Sequence, residues 1–248
     1  MKVTAIKTHK ITREDKDVFA VLDNYLPELA EGSVVVVTSK ILSIIEGRIV
    51  KIGEVSKDQL VAEEAELYLP SSESKYNFSL TIKNSLLIPS AGIDESNGNG
   101  YYVLWPKDPQ KWANDIRDYL VKRFNLKNVG VIITDSKTTP LRWGVTGAAI
   151  AHSGFSALND QVGSPDVFGR VMQATKVNVM DGLAAAAVVV MGESSEQTPL
   201  AVIEDVPFVQ FIDRNPTEGE LKDLKINIED DLYAPLLQSV EWEKGNNR

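Results

Sequence analysis

Cysteine is absent from this 248-residue chain, so disulfides, thiolate catalysis and cysteine-held zinc are excluded at once. Histidine is nearly absent too. His9 and His152 are the only imidazoles, too few for a multi-histidine metal centre, so a bound metal must rest mainly on oxygen ligands, the preference of hard cations such as Mg2+ and Mn2+. Positive charge is in short supply: 26 Lys and Arg face 35 Asp and Glu, and the formal charge of −9 comes with no basic tail or stripe. Such a field repels a phosphate backbone, and no nucleic acid is expected as a partner. An anionic small substrate would need a local cluster of bases, or a metal, to overcome the same field. The opening MKVTAIKTHKIT lacks the apolar core of a signal peptide, and no apolar run approaches the roughly 20 residues that cross a bilayer. The expected setting is therefore cytoplasmic, with no membrane partner. GxxxxGK[ST] and GxGxxG are also missing, so a bound nucleotide must be held without a P-loop.

What is present is ordinary globular material, with 43% apolar residues, no internal repeat and no low-complexity linker. That length holds one large domain or two small ones. The most informative stretch is 129–144, VGVIITDSKTTPLRWG. Val131, Ile132 and Ile133 suit a strand covered on both faces, and the run breaks into Asp135, Ser136 and a turn at Thr138-Thr139-Pro140, where proline halts pairing. Ligands gather outside the carboxyl ends of strands in open α/β sheets. Asp135 is thus either a functional acid or a residue that merely opens a turn.

Along the chain, 3–8 reads as a strand and 17–29 as a helix, with Val18, Val21, Leu22, Tyr25 and Leu29 on one stripe. The four valines of 34–37 read as a buried strand ending in Thr38-Ser39-Lys40. Residues 41–50 fit a short helix or a bent strand, with Gly47 as a turning point. The spacing predicts a helix over 56–69 closed by Pro70, a hairpin of 78–82 with 86–88, and a strand at 101–104. A helix over 109–124 is capped by Asp108, 145–150 is a short apolar stretch, 177–191 is a helix and 200–203 a last strand. The tail beyond residue 207 carries one helix near 231–240 and no evident chemistry. The loop 89–100, rich in Gly, Asn and Ser, reads by composition as a flexible surface loop.

Five separated pieces change that picture when taken in order: TSK at 38–40 with EGR at 46–48, AGIDESN at 91–97, ITDSxxxPxRxG at 133–144, DVFGR at 166–170, and MGE followed by TPLAVI within 191–203. Each alone is weak, AGIDESN being the most specific. As an ordered set they resemble the coenzyme F420:L-glutamate ligases, over roughly residues 7–203. The resemblance implies an α/β fold with mixed sheets, in a two-domain subunit that forms an intertwined homodimer. One domain would comprise 1–89 and 196–248 and the other 90–195, the latter carrying most of a metal site. It also implies a GTP-dependent ligase, with GTP as co-substrate, that uses Mg2+ or Mn2+, with K+ as a further ion. The enzyme would join L-glutamate to a carboxylate acceptor such as the deazaflavin coenzyme precursor.

By the same resemblance Asp94, Asp135, Ser136 and Glu193 would be metal ligands. Ser39, Lys40, Asn97 and the Met191-Gly192 loop with Ser194 and Ser195 would hold the nucleotide, joined by His9-Lys10-Ile11, although the family usually has proline at the position of His9. Asp94 and Asp135 would act in catalysis through the metal, since phosphoryl transfer needs positioning and charge neutralisation. Arg142 and Arg170 are either clamps for a carboxylate or phosphate, or members of structural ion pairs. Two departures stand out. Lys137-Thr138-Thr139-Pro140 replaces an expected Gly-Arg, and Asp181 in Val179-Met180-Asp181-Gly182 lacks the family's adjacent acid. His152, where small or apolar residues are usual, is expected to pack or face solvent. The competing readings are a folate-type γ-glutamyl ligase, a catalytically silent nucleotide- or metal-binding homologue, and a structural dimer without ligand.

Overall fold

The computed structural model of the chain describes residues 1–246. Its strands are β1 (Lys2–Ile6), β2 (Ser33–Thr38), β3 (Ile49–Lys51), β4 (Leu67–Leu69), β5 (Leu80–Lys83), β6 (Leu86–Pro89), β7 (Tyr101–Val103), β8 (Val129–Thr138), β9 (Val145–Ser153), β10 (Leu158–Asp160), β11 (Lys176–Asn178), β12 (Leu200–Glu204) and β13 (Glu243–Lys244). The helices are α1 (Val18–Tyr25), α2 (Ser39–Glu46), α3 (Lys57–Glu64), α4 (Pro109–Phe124), α5 (Val179–Met191), α6 (Glu218–Lys222) and α7 (Ala234–Leu237). The fold is mixed α/β with several sheets, as expected. Among the described residues no helix is long and apolar enough to cross a membrane.

The central sheet has the order β1-β12-β2-β8-β9. Only β2 and β8 run parallel, and the remaining neighbours are antiparallel. Alternation in the valine run decides how it is covered. Val35 and Val37, with Val131 and Ile133, pack under α1, α2 and α4 against Val21, Leu42, Ile116 and Leu120. Val34 and Val36, with Ile132, face α5 through Leu183, Ala184 and Ala187. Each fully buried valine contributes about 1.5 kcal/mol or more, so both faces of the strand are held. Helix α5 comes unusually close to β9, because a Cβ on Gly147 would lie 2.4 Å from the Ala184 carbonyl oxygen. The sheet takes strands from both 1–89 and 90–195.

Smaller sheets flank this core: β13-β4-β5-β6 and the two-stranded ribbon β3-β7. Leu60, Val61, Ile93 and Leu104 form the cluster between them and α3.

Several expectations are corrected. The helix expected over 56–69 stops at Glu64, and Leu67–Leu69 becomes β4, because pairing with Leu80–Ile82 satisfies its backbone better than another helical turn. The strand expected to end at Thr134 runs to Thr138, after a bulge between Ile133 and Thr134, and gains the whole of β9 as its partner. The open choice over 41–50 resolves as helix α2 followed by strand β3, with Gly47 in the left-handed conformation between them. Helix α1 ends at Tyr25, just before Pro27, rather than at Leu29. In the tail the helix shrinks to Ala234–Leu237, and β13 follows β12, so 200–203 is not the last strand.

His152 is buried at 3% exposure, its ring edge-on to Phe155 at 5.3 Å between centroids. Burial depresses its pKa to about 4. A neutral buried imidazole binds its proton less readily than the unfolded chain does, so stability falls as pH drops from about 6.5 to about 4 and is constant above that window. The expected loss is about 3 kcal/mol. Chemical denaturation of wild type and His152→Gln at pH 7 and pH 4.5 should show most of this difference vanishing in the variant; equal pH slopes would refute it.

Candidate active site

Two of the sequence motifs leave the central sheet side by side. Thr38 is paired with Thr134 across the parallel β2-β8 junction, which places the start of α2 next to Asp135. Ser39 opens that helix and is buried, and Lys40 follows it. Free N–H groups at such a helix start favour anions. Here the site lies at the carboxyl ends of the parallel β2-β8 pair of the central sheet, the position where open α/β sheets collect ligands.

Asp94 arrives from the opposite side through a short detour of the backbone. Ser90, Ala91 and Gly92 all adopt left-handed conformations, with φ of 50°, 53° and 71°. The turn is held from β5: the Thr81 hydroxyl accepts from the Ala91 N–H at 2.9 Å, and Lys83 Nζ reaches the Ala91 carbonyl at 3.4 Å. Asp94 then pairs with Val103 through two backbone hydrogen bonds of 2.9 and 2.8 Å. Its carboxylate meets Lys40 Nζ at 2.9 Å, and the same ammonium donates to the Ser96 carbonyl at 3.2 Å.

Asp135 is gripped at both oxygens. Its Oδ1 accepts from the Ser136 N–H at 2.8 Å, and its Oδ2 accepts from the indole N–H of Trp105. Burial and the adjacent Asp94 carboxylate push the Asp135 carboxyl well above the usual carboxylate range, against the pull of Trp105, Ser136 and Lys40. Glu193 is raised as well, by desolvation and then by Asp94. The Lys40 ammonium thus contacts Asp94 and lies within electrostatic reach of Asp135 and Glu193.

The loops bearing these acids are tied together. Asn97 Nδ2 donates to the Ser194 carbonyl at 2.8 Å, Ser194 N–H to Glu196 at 2.8 Å, and Thr8 N–H to the Gln197 carbonyl at 2.9 Å. His9 sits beside them, its Nε2 2.8 Å from Asp15 and its Nδ1 2.9 Å from the Tyr25 hydroxyl, while Lys10 is exposed and Ile11 packs on the core. Met191 is buried in the core, and its carbonyl accepts from the Thr198 hydroxyl; Gly192 and Ser195 are exposed. Met191 therefore offers a ligand no side-chain surface.

Other residues stand apart. Arg142 lies in the turn after β8, roughly 10 Å of strand beyond Asp135, and Arg170 closes the turn of 166–170, which Asp166 organises by accepting from Phe168 and Arg170 N–H groups. Both guanidinium groups are exposed and make no ion pair among the described residues, so the structural pair weighed for them is not formed in the single chain. Lys137, the candidate for the missing base, faces Asp181 at 3.7 Å. Sequence reasoning missed Trp105 and Lys83. Trp105 carried a signal of its own, since a buried indole needs an acceptor for its N–H.

Among the described residues no group of three or more His, Asp or Glu side chains is close enough to enclose a metal ion. The donor chemistry nevertheless fits a hard divalent cation. Asp94, Asp135 and Glu193 offer only oxygen, the proton affinities of Asp135 and Glu193 are raised by desolvation and then by the Asp94 carboxylate, and the Lys40 ammonium already occupies a cation's place against Asp94.

The sequence profile of the F420-0:gamma-glutamyl ligase family matches residues 5–205. The chain belongs to that family. It is similar to the coenzyme F420:L-glutamate ligase of Methanococcus maripaludis, 42% identical over 158 residues that cover 63% of this chain and 61% of that protein. The corresponding protein of Methanopyrus kandleri is 35% identical over 191 residues, covering 71% of this chain and 75% of its own. That of Methanocaldococcus jannaschii is 32% identical over 202 residues, covering 73% and 79%. The chain thus matches about three fifths of the length of the M. maripaludis relative.

Relief of the crowding gives a direct test. Mn2+ should raise the melting temperature, by the equivalent of about 2.7 kcal/mol at a hundredfold excess over Kd, and EDTA should reverse it. Asp135→Asn should lose that gain; an equal Mn2+ shift in the variant would remove Asp135 from the cation site.

Proposed function

We propose that this member of the family is a GTP- and divalent-metal-dependent ligase that joins L-glutamate, through an amide of the γ-glutamyl ligase type, to a carboxylate acceptor such as the deazaflavin coenzyme F420 precursor. The observation that carries the proposal is the gathering of Asp94, Asp135 and Glu193 around Lys40 at the ends of the parallel strands. The names of the relatives, coenzyme F420:L-glutamate ligases, support the joining of L-glutamate to such an acceptor.

In this reading Asp94, Asp135, Ser136 and Glu193 hold Mg2+ or Mn2+, which when bound would neutralise phosphate charge. The amide groups at the start of α2, with Ser39 and Lys40, and the Asn97 and Ser194 loops bind the nucleotide phosphates. The acceptor carboxylate attacks the γ-phosphorus of GTP, the bond to the β-phosphate oxygen breaks, and GDP leaves behind an acyl phosphate. The glutamate amine then attacks the acyl carbon, the carbon–oxygen bond breaks to release phosphate, and the nitrogen sheds a proton. K+ is a further ion to test.

A second acceptor class is favoured by one observation. Lys137, which stands for the family's missing base, is turned to Asp181, and a folate-type acceptor therefore belongs in the assay. The catalytically silent homologue, the third reading, is what remains if neither acceptor reacts.

We also propose a homodimer. The β8-β9 turn exposes Leu141 and Trp143, the 166–170 turn exposes Val167 and Phe168 at 92% and 93%, and α5 exposes Val189. An apolar surface of this kind suits a second copy.

Purified chain with GTP, Mn2+, glutamate and either acceptor should yield a product heavier by one glutamyl unit in mass spectrometry. GTP hydrolysis with no such product from either acceptor would overturn the ligase reading. Asp135→Asn should lower turnover at least a hundredfold. Light scattering should give a dimer, and Trp143→Ser combined with Phe168→Ser should shift it to monomer; a wild-type monomer at micromolar concentration would refute the assembly.

A further inference from the structure

Beneath the acids lies a layer of charge that the reaction as described does not use. Arg48 donates from Nε to the Trp105 carbonyl at 3.1 Å and from an NH2 group to Glu64 Oε1 at 2.6 Å. Glu64 Oε2 accepts from Lys83 Nζ at 2.8 Å. The Lys83 side chain is 5% exposed, and its ammonium lies 5.0 Å from the centre of the Trp105 ring, within the range of a cation–π contact. Trp105 itself is 2% exposed. Gly92 lies close against the nitrogen side of the indole, where a Cβ would fall 2.1 Å from the ring nitrogen. Trp105 is thus held at its backbone carbonyl, at its ring face and beside its ring nitrogen, and its indole N–H donates to Asp135 Oδ2.

We propose that Trp105 is a positioning residue for Asp135, its clamped indole N–H fixing the direction in which the carboxylate presents its remaining lone pairs to a divalent cation. The proposal rests on the reading of Asp135 as a cation-holding acid. An indole donates and never accepts, so it can engage only an oxygen lone pair and leaves the others free. With Ser136 N–H on Oδ1 and Trp105 on Oδ2, rotation of the carboxylate is blocked at both ends. The same segment fixes the other acid, because Val103, two residues before Trp105, carries the backbone pair to Asp94. One short run of chain therefore sets both carboxylates. Partners of this kind, which orient a ligand without touching the metal, typically change metal affinity 10- to 100-fold when removed.

The test is Mn2+ affinity in the full chain without nucleotide, read from the electron paramagnetic resonance signal of free Mn2+ at a temperature where circular dichroism shows each variant folded. Trp105→Phe keeps an aromatic ring and removes the N–H, and its Mn2+ Kd should rise about tenfold or more. A merely structural role would lower the melting temperature and leave the Kd of the folded protein unchanged; a Kd within twofold of wild type overturns the proposal. Should Trp105→Phe fail to fold, the benzothiophene analogue of tryptophan at position 105, with sulfur in place of N–H, carries the same expectation. Asp135→Asn measured alongside separates the two failures. If it too keeps wild-type affinity, or if the wild type binds no Mn2+, the cation-holding reading falls and the proposal falls with it. If Asp135→Asn loses affinity and Trp105→Phe does not, only the positioning role is refuted.

Discussion

The parallel pairing of β2 with β8 is the constraint on which the rest of the structure depends. Ser33–Thr38 and Val129–Thr134 run in register, and both are buried on their two faces, so neither can slip by one residue without exchanging its entire set of side chains between α5 and the opposing helices. Because parallel strands end together, the register that satisfies the core also brings Lys40 next to Asp135. A site assembled this way inherits its precision from packing. The bulge between Ile133 and Thr134 then lets β8 continue as an antiparallel arm with β9, so the strand that delivers the acid also carries the exposed turn beyond it.

That packing holds together groups that repel one another. The Asp94 carboxylate raises the cost of ionising both Asp135 and Glu193, beyond what their desolvation already imposes, a differential of about 1.4 kcal/mol for each unit of pKa. Strain of a second kind sits in the same place, in the left-handed run of Ser90, Ala91 and Gly92, where each non-glycine residue costs of the order of 1 kcal/mol. Both are local violations of what the sequence would otherwise prefer, and such violations concentrate where a ligand is to be met. Thr81 and Lys83, which hold the turn from below, belong to a hairpin whose outer face looks unremarkable.

Legibility from sequence follows from how local each signal is. The valine alternation of β2, the Asp108-Pro109 start of α4 and the strand character of 129–134 are readable, because each is written in consecutive residues and agrees with its surroundings. The Leu67–Leu69 strand is not, because its character is conferred by Leu80–Ile82, a partner that comes later in the chain. Asp135 could be singled out from its strand end, whereas Asp94 and Glu193 stood out only as members of a family pattern, sitting as they do in loops of Gly, Asn and Ser. Lys83 precedes Asn84-Ser85 and reads as the exposed base of a hairpin turn, yet it is buried against Glu64. Nothing in its neighbours announces that. The pairing is set by α3 and by Arg48, each far along the chain, and only the folded arrangement brings the three together.

Lys40 links these observations. Without a ligand its ammonium is the counter-ion of Asp94, and through the Ser96 carbonyl it also fastens the AGIDESN loop. In the proposed reading a divalent cation entering among the acids would compete with that ammonium for Asp94. Lys40 would then be released at the start of α2, beside amide groups that favour an anion. The exchange that admits the cation would thus free a base for phosphate, and cation and nucleotide binding would be coupled through one side chain, each strengthening the other by the same factor.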